Sequence, residues 1–167
     1  MDNPVYYSTI RTRMAELLIT SNGEAITGLF MLTDSRRLMA EPAWRKHVRL
    51  FDEARKQLLA YFAGELTEFD LMITTGGTPF QESVWDELCK IPYGSTTTYG
   101  EIARKIGNPN GSRAVGAANG QNPISIIIPC HRVIGSNHQL TGYGGGIERK
   151  RALLDLEAAV MTRHRES

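Results

Sequence analysis

The chain has 167 residues, of which 41% are hydrophobic, and its formal net charge is +1, which suits one compact domain, or two small ones, able to bury a core without disulfide staples. Only two cysteines, Cys89 and Cys130, are present, which excludes a disulfide framework, and no Cys/His spacing is typical of a metal site. Because the N-terminus lacks an apolar leader and no segment approaches a membrane span, we expect a cytoplasmic protein with reduced thiols, no bound metal and no contact with a membrane.

The first third of the chain alternates strand-like runs with turns. The runs are VYYSTI, AELLIT and AITGLFML, and Asn22-Gly23 between the last two is typical of a hairpin turn. From Trp44 to Phe62 the apolar residues recur at helical spacing, and Gly64 is a natural stop. This pattern predicts strands joined by tight turns, followed by a helix.

A linker separates this region from a mostly helical remainder. TTGGTP at residues 74–79 combines glycine and proline in the manner of a connecting segment. We therefore place a boundary at about residue 76, with one domain over 1–75 and a second over 76–167. The second domain opens with an amphipathic helix, PFQESVWDELCKI, which Pro92 and Gly94 stop.

Two short helices joined by a tight polar turn come next, and this is the form of a helix-turn-helix. Thr98 is suited to cap the first, Tyr99 to Ile106, because Glu101 lies three positions on and completes a capping box. After the turn NPNG, Ser112 is suited to cap the second helix, which Asn122-Pro123 ends.

The second of these helices presents a nearly bare face. At 100° per residue, Gly116, Ala117 and Gly120 lie within about 60° of Arg113, whereas base readout normally uses arginine, asparagine or glutamine along the helix. The wheel alone favours tight helix packing over DNA binding. Residues 99–151 carry seven basic side chains against two acidic ones, which suits a polyanion, although charge alone favours a biased, solvated surface.

The apolar run ISIII, residues 124–128, precedes the sequence PCHRV. We predict a buried strand that ends at Pro129, with Cys130 in the turn just past it. Consecutive strand residues point to opposite faces, so His131 would reach the thiol more easily through a water than directly. Such a base would raise the small thiolate fraction of a free cysteine at neutral pH. Cys89, on a helix, is interpreted as a packed core thiol.

The last helix, IERKRALLDLEAAV, offers an orienting partner for that base. Glu157 lies within its apolar face, about 40° from Leu153, whereas Asp155 points towards solvent. A carboxylate in an apolar stripe is costly unless it is paired, which makes His131 an attractive partner. A local turn or an arginine remains an alternative partner, and Asn122 is equally consistent with a simple turn former.

Three stretches, RAVGAANGQNP, IIIPCHRVIG and LTGYGGGIERKRALLDLE, resemble the O6-alkylguanine-DNA alkyltransferases, also called methylated-DNA–protein-cysteine methyltransferases, of the bacterial single-cysteine type. The match is specific from about Gly77 to Glu157 and weak over the first 75 residues. It implies an α/β (α+β) fold, with a small N-terminal antiparallel sheet and helix of ribonuclease H-like topology. A mostly helical C-terminal domain with a helix-turn-helix would follow.

The resemblance also implies the chemistry. Cys130 would take the alkyl group from O6-alkylguanine, and from O4-alkylthymine, in one irreversible turnover after the base is flipped out of the duplex. His131 would deprotonate Cys130 through a bound water, and Glu157 would orient His131. Asn122 would brace the turns, and Tyr99 would assist protonation of the leaving guanine.

Double-stranded DNA is the implied partner, bound in the minor groove with little sequence preference. Arg113 would fill the gap left by the extruded nucleotide. The residues implied at the DNA surface are Arg113, Ala114, Gly116, Ala117, Gly120 and Tyr99. The residues implied at the substrate pocket are Val133, Tyr143 and Gly144.

No cofactor is expected, and a monomer is expected, with cooperative assembly on DNA left open. Two departures from the family pattern occur. The early hairpin lacks the usual Gly-Pro step, and N-terminal metal-binding cysteines are missing, so neither a zinc site nor a phosphotriester-repair domain is expected. The alternative function is a non-enzymatic lesion-sensing DNA-binding protein, against which the intact PCHR argues. A multiple-turnover cysteine hydrolase would need a labile intermediate, which a thioether is not.

Overall fold

The computed structural model describes residues 4–32, 41–137, 140, 143 and 146–166. The chain divides into two compact units, one comprising Met1–Thr75 with Pro123–Ser125 and the other Gly76–Asn122 with Ile126–Ser167. Among the described helices, none combines the length and the apolar character that crossing a membrane requires.

The first unit is built on a four-stranded sheet of order β3-β2-β1-β4. Its strands are β1 (Tyr6–Arg11), β2 (Glu16–Ser21), β3 (Ile26–Leu32) and β4 (Arg45–Lys46). The first three pair antiparallel, as the resemblance implies, while β4 pairs parallel with β1. The predicted hairpin turn is present: the φ of Gly23 is 102°, and the Asn22 side chain accepts hydrogen bonds from the two backbone N–H groups that follow Gly23.

The helix predicted from Trp44 to Phe62 is wrong over its first turns. Helix α1 spans Asp52–Phe62 and is preceded by a 3-10 turn at Arg49–Phe51. The backbone N–H groups of residues 45 and 47 instead donate to carbonyls of residues 5 and 7, at 2.8 and 3.0 Å. Pairing at the sheet edge therefore satisfies a backbone that the apolar spacing alone assigns to a helix.

The second unit begins with α2 (Pro79–Cys89), which a capping box between Thr78 and Gln81 starts. The indole N–H of Trp85 donates to the backbone oxygen of Ala118 at 2.8 Å and ties α2 to the helix-turn-helix. The interpretation of Cys89 as a core thiol is wrong, because this residue lies at the exposed end of α2.

The helix-turn-helix consists of α3 (Tyr99–Lys105) and α4 (Ser112–Gly120). Thr98 caps α3 as predicted, accepting from the Glu101 backbone at 3.2 Å. The prediction that Glu101 completes a capping box is wrong, because its carboxylate pairs with Arg104 instead. The prediction that Ser112 caps α4 is wrong, because Gly111 occupies the N-cap position and Ser112 is already helical.

The strand predicted at residues 124–128 is also wrong. Ile124 forms an isolated bridge with Leu29 and no strand, and Ile126 has a φ of 73°, the only positive value among the described non-glycine residues. A left-handed residue interrupts an extended run. The chain then forms one turn of 3-10 helix at Cys130–Arg132, so the expected turn at the cysteine is present.

Two short strands bring this turn to the helix-turn-helix. Strand β6 (Val133–Ile134) follows the turn directly and pairs in parallel with β5 (Thr97–Thr98), which leads straight into α3. The long helix α5 (Ile147–Glu166) completes the unit.

Candidate active site

The turn that carries Cys130 is held by two asparagines from the end of α4. Asn119 donates from Nδ2 to the backbone oxygen of Cys130 at 3.3 Å, and Asn122 donates to that of Ile128 at 2.9 Å. The Asn122 side chain also hydrogen-bonds the Cys130 thiol. Asn122 is therefore more than a turn former, and the helix that precedes the cysteine positions its backbone.

His131 and Glu157 meet in the interior. Nε2 of His131 lies 2.7 Å from Oε2 of Glu157, and their side chains are 0% and 1% exposed. Nδ1 of His131 is buried and has no hydrogen-bond partner among the described residues. The structure thus brings together the imidazole and the carboxylate that the helical wheel suggested, and it leaves one ring nitrogen available as an acceptor.

An arginine also pairs with Glu157, so two of the partners considered for this carboxylate are present at once. Arg132 donates from Nε to Oε1 at 2.8 Å and from Nη2 to Oε2 at 3.0 Å. The backbone N–H of Gly94 donates to Oε1 at 3.0 Å. A buried carboxylate with this many donors is stable as an anion.

The protonation states follow from these contacts. Burial alone would raise the pKa of Glu157, but hydrogen bonds from His131 and Arg132 lower it to about 2. Burial lowers the pKa of His131, which outweighs the opposing hydrogen bond from Glu157. Burial raises the pKa of the Cys130 thiol, against the opposing effects of Asn122 and Lys150. The resting site therefore holds a neutral thiol, a neutral imidazole and a carboxylate anion, and the thiol needs a base.

Lys150 lies fully buried in the first turns of α5. Its ammonium donates to the Val133 backbone oxygen at 2.6 Å, and its charge lowers the pKa of Cys130. This buried cation lies beside the chain that leaves the Cys130 turn.

The face of α4 expected to bind DNA is accessible. Arg113, Ala117 and Gly120 are exposed, as is Ala114, and Gly116 is half-buried. A Cβ added at Gly116 would lie 3.8 Å from the ring of Tyr99. The Tyr99 side chain therefore packs beside the small-residue face, while Asn119, which is buried on α4, reaches the cysteine turn.

The residues expected at the substrate pocket are only partly defined. Val133 is buried, and its carbonyl already accepts from Lys150. Tyr143 is half-buried, and its carbonyl accepts from the backbone N–H of Gly146 at 2.9 Å. Gly144 lies outside the described residues.

The residue-by-residue reasoning missed Arg132, Lys150, Asn119 and Gly94. The signal for Lys150 was present, because it lies seven residues before Glu157 and about 20° from it on the same wheel. The other three have no such periodic signal. Among the described residues, no three His, Cys, Asp or Glu side chains cluster as a metal site would require.

The site thus combines a cysteine that directly precedes the histidine of a buried histidine–carboxylate pair with a helix-turn-helix. This combination is typical of a cysteine nucleophile attached to a nucleic-acid-binding motif. Residues 5–75 match the family model described as "6-O-methylguanine DNA methyltransferase, ribonuclease-like domain", and residues 79–159 match its "DNA binding domain". The chain belongs to the 6-O-methylguanine DNA methyltransferase family.

Individual relatives agree. The chain is 53% identical over 156 residues to the methylated-DNA–protein-cysteine methyltransferase of Mycobacterium tuberculosis H37Rv, covering 92% of each. It is 46% identical over 155 residues to that of Methanosarcina acetivorans, covering 93% of this chain and 99% of the relative. Among solved structures, M. tuberculosis OGT in complex with DNA is 52% identical, with a TM-score of 0.87, over 93% of this chain and 94% of that one.

Proposed function

We propose that this chain repairs alkylated DNA by direct reversal, with Cys130 accepting the alkyl group from O6 of guanine. The methylated-DNA–protein-cysteine methyltransferases to which it is related support the activity. The single observation that carries the assignment to Cys130 is the buried His131–Glu157 pair, 2.7 Å apart, whose histidine directly follows the cysteine in one 3-10 turn. Such a pair supplies the base that a thiol of raised pKa needs.

The transfer is a displacement at carbon. The thiol proton moves to Nδ1 of His131, directly or through one water, and the thiolate attacks the alkyl carbon. An S–C bond forms as the C–O6 bond breaks, and the bonding electrons pass into the guanine. The leaving guanine takes up a proton, with Tyr99 assisting. Because water does not hydrolyse the thioether formed on Cys130, each protein molecule acts once.

The exposed face of α4 suits a non-specific interface. A helix with one arginine and otherwise small residues allows close backbone approach but reads few base edges. We propose that it enters the minor groove and that Arg113 occupies the place of the flipped nucleotide. The same flipped-base chemistry extends to O4-alkylthymine, in which an alkyl group is likewise carried by an exocyclic oxygen.

We propose two functional domains, residues 1–75 with ribonuclease H-like topology and residues 76–167 with the DNA-binding and alkyl-accepting parts. The family models that match 5–75 and 79–159 support this division. The chain would act as a monomer in the cytoplasm, where the DNA of its bacterial and archaeal relatives is found.

The test is the mass of the intact protein after incubation with duplex carrying O6-methylguanine. A gain of one methylene on Cys130, with no further gain at longer times, supports the proposal. Cys130→Ser should gain nothing while keeping most DNA binding, and Cys89→Ser should behave as the wild type. No gain by the wild type would favour a lesion sensor, and release of alkyl product over many turnovers would favour a hydrolase.

A further inference from the structure

We propose that Arg132 is a positioning residue that keeps Glu157 ionised, and thereby keeps Nδ1 of His131 as the proton acceptor for Cys130. The inference rests on the proposed function, because it concerns how the same thiol is activated. It assigns to Arg132 a role that is exerted on the thiol through Glu157 and His131.

The carboxylate of Glu157 is divided between three donors. Oε1 accepts from Arg132 Nε at 2.8 Å and from the Gly94 backbone at 3.0 Å. Oε2 lies 2.7 Å from His131 Nε2 and accepts from Arg132 Nη2 at 3.0 Å. Arg132 therefore supplies two of these four contacts, one to each oxygen, in the fork geometry that a guanidinium offers to a carboxylate.

Arg132 is itself fixed in place. Nη1 donates to the Ile91 backbone oxygen at 2.7 Å, the guanidinium lies 5.5 Å from the centre of the Tyr93 ring, and the residue is 7% exposed. Arginine stays protonated in proteins. The Glu157 carboxylate is therefore paired with a permanent positive charge that is held in place by its other contacts.

The ionised carboxylate selects the tautomer of His131. A carboxylate anion only accepts hydrogen bonds, so Nε2 of His131 must carry the hydrogen in the 2.7 Å contact. In a neutral imidazole the other nitrogen is then the acceptor. That nitrogen, Nδ1, is the buried atom without a partner among the described residues, and it is available to take the Cys130 proton.

Without Arg132, the protonated form of the Glu157 carboxyl would become the favoured one. Burial raises the pKa of this carboxyl, and Arg132 is one of the two residues whose hydrogen bonds oppose that effect. A protonated carboxyl would donate to Nε2, so a neutral His131 would carry its hydrogen on Nδ1 and could not accept from the thiol. Thiol activation would then require a pH high enough to remove the extra proton.

Other titratable groups lie around Arg132, Glu157 and His131, and each has contacts of its own. Lys150 on α5 donates to the Val133 carbonyl, and Cys130 is hydrogen-bonded by Asn122. Cys89, at the end of α2, and Tyr93, in the loop after it, are affected by the charge of Arg132. Tyr93 is also affected by the charge of Arg163 on α5. Replacing Arg132 leaves these side chains in place and removes an effect that lowers the pKa values of Cys89 and Tyr93.

The experiment measures the alkylation rate of Cys130 by the free base O6-benzylguanine as a function of pH, so that DNA binding plays no part. In Arg132→Met the rate at neutral pH should fall about tenfold or more. The acidic limb of the profile, where the rate rises with pH, should move up by about one pH unit or more. The rate should approach that of the wild type at alkaline pH. Arg132→Lys keeps a charge but not the fork, and should lie between the two.

The matched control is Lys90→Met, which removes one cation from the exposed C-cap of α2 and should leave the pH profile unchanged. In the Glu157→Gln background, Arg132→Met should cause no further shift of the limb. A rate lowered equally at all pH values, or a limb shared with the wild type, would show that Arg132 is only structural and would overturn the inference.

A second measurement needs no substitution. Nitrogen NMR of His131 in the unmodified wild type should find the hydrogen on Nε2 and none on Nδ1, and the reverse tautomer would overturn the inference. If the wild type is not alkylated at all, the proposed function fails, while the tautomer still decides whether His131 has the protonation that the inference requires. If it is alkylated but the limb of Arg132→Met is unmoved, only the inference fails.

Discussion

His131 and Glu157 are 26 residues apart in the chain, yet Nε2 of the first lies 2.7 Å from Oε2 of the second. The contact joins the 3-10 turn that carries Cys130 to the middle of α5. Both side chains are buried, so the pair is shielded from solvent. Under the proposed function, its geometry would decide which nitrogen of His131 accepts the proton of the neighbouring thiol.

Replacing Glu157 with Gln should therefore slow alkylation of Cys130 by O6-benzylguanine by about 10- to 100-fold, part of the roughly 10²- to 10⁴-fold that a positioned general base contributes. The neutral amide neither fixes the tautomer nor stabilises the imidazolium. Asp155→Asn, an exposed change on the same helix, is the control and should react like the wild type. An unchanged rate in Glu157→Gln would remove Glu157 from the site.

Replacing Arg113 with Ala should slow repair of O6-methylguanine in duplex about tenfold or more, while leaving alkylation by the free base close to that of the wild type. The Arg113 side chain is exposed on α4 and takes no part in activating the thiol. Its loss should therefore destabilise only the complex in which the nucleotide is flipped out of the duplex. Lys105→Ala removes an equal charge from exposed α3 and should affect duplex repair much less. Equal losses on both substrates would argue against an intercalating role.

Stability should fall in acid because of the buried pair. Glu157 has a folded pKa of about 2 against an ordinary value of 4.5, so its contribution of about 3 kcal/mol is present above pH 4.5 and is lost as the pH falls towards 2. The lowered pKa of His131 acts in the same direction, starting below its ordinary value of 6.5. Denaturant unfolding at several pH values should show this loss in the wild type and in Asp155→Asn. A Glu157→Gln variant with the same loss between pH 4.5 and 2 would contradict the assignment.

Gly94 should tolerate a side chain less well than Gly107, although both have positive φ, 77° and 80°. A Cβ at Gly94 would lie 2.4 Å from Cγ of Met161, whereas one at Gly107 meets nothing within 4 Å. Gly107→Ala should cost about 1–2 kcal/mol from backbone strain alone, and Gly94→Ala about 2–4 kcal/mol because overpacking is added. Midpoints of urea unfolding compare the two directly, and equal midpoints would show that Met161 moves aside without cost.

Replacing Lys150 with Met should raise the pKa of the Cys130 thiol, because it removes the buried cation that opposes desolvation. It also leaves the Val133 carbonyl without this donor. The thiolate absorbance should then appear at higher pH, and alkylation at neutral pH should slow about tenfold. The neighbouring Arg151 is exposed, so Arg151→Met is the control, and a titration curve shared by both variants would exclude an electrostatic role for Lys150.

Local patterns predicted the elements whose energetics are local. The Asn22-Gly23 hairpin and the Thr98 cap are present because the side chain and backbone of a few adjacent residues decide them. The wheel placed Glu157 inside an apolar stripe, and the cost of an unpaired charge there pointed correctly to a buried partner.

The wrong predictions concern segments whose structure is decided by residues far away in the chain. Arg45 pairs with the backbone of β1 and so leaves the predicted helix, and no spacing within residues 44–62 contains that information. The left-handed Ile126 breaks a run whose composition is typical of a strand. Arg132 joins Glu157 across 25 positions, a contact that single-sequence periodicity cannot reveal.

The exposed position of Cys89 at the end of α2, set against a Cys130 that is only 5% accessible, has a practical consequence. A colorimetric count of free sulfhydryls would register the exposed Cys89 thiol first and would respond poorly to Cys130, the proposed alkyl acceptor. Spent and unspent molecules in a preparation must therefore be distinguished by the mass on the Cys130 peptide, and a fluorophore attached at Cys89 would leave the acceptor sulfur untouched.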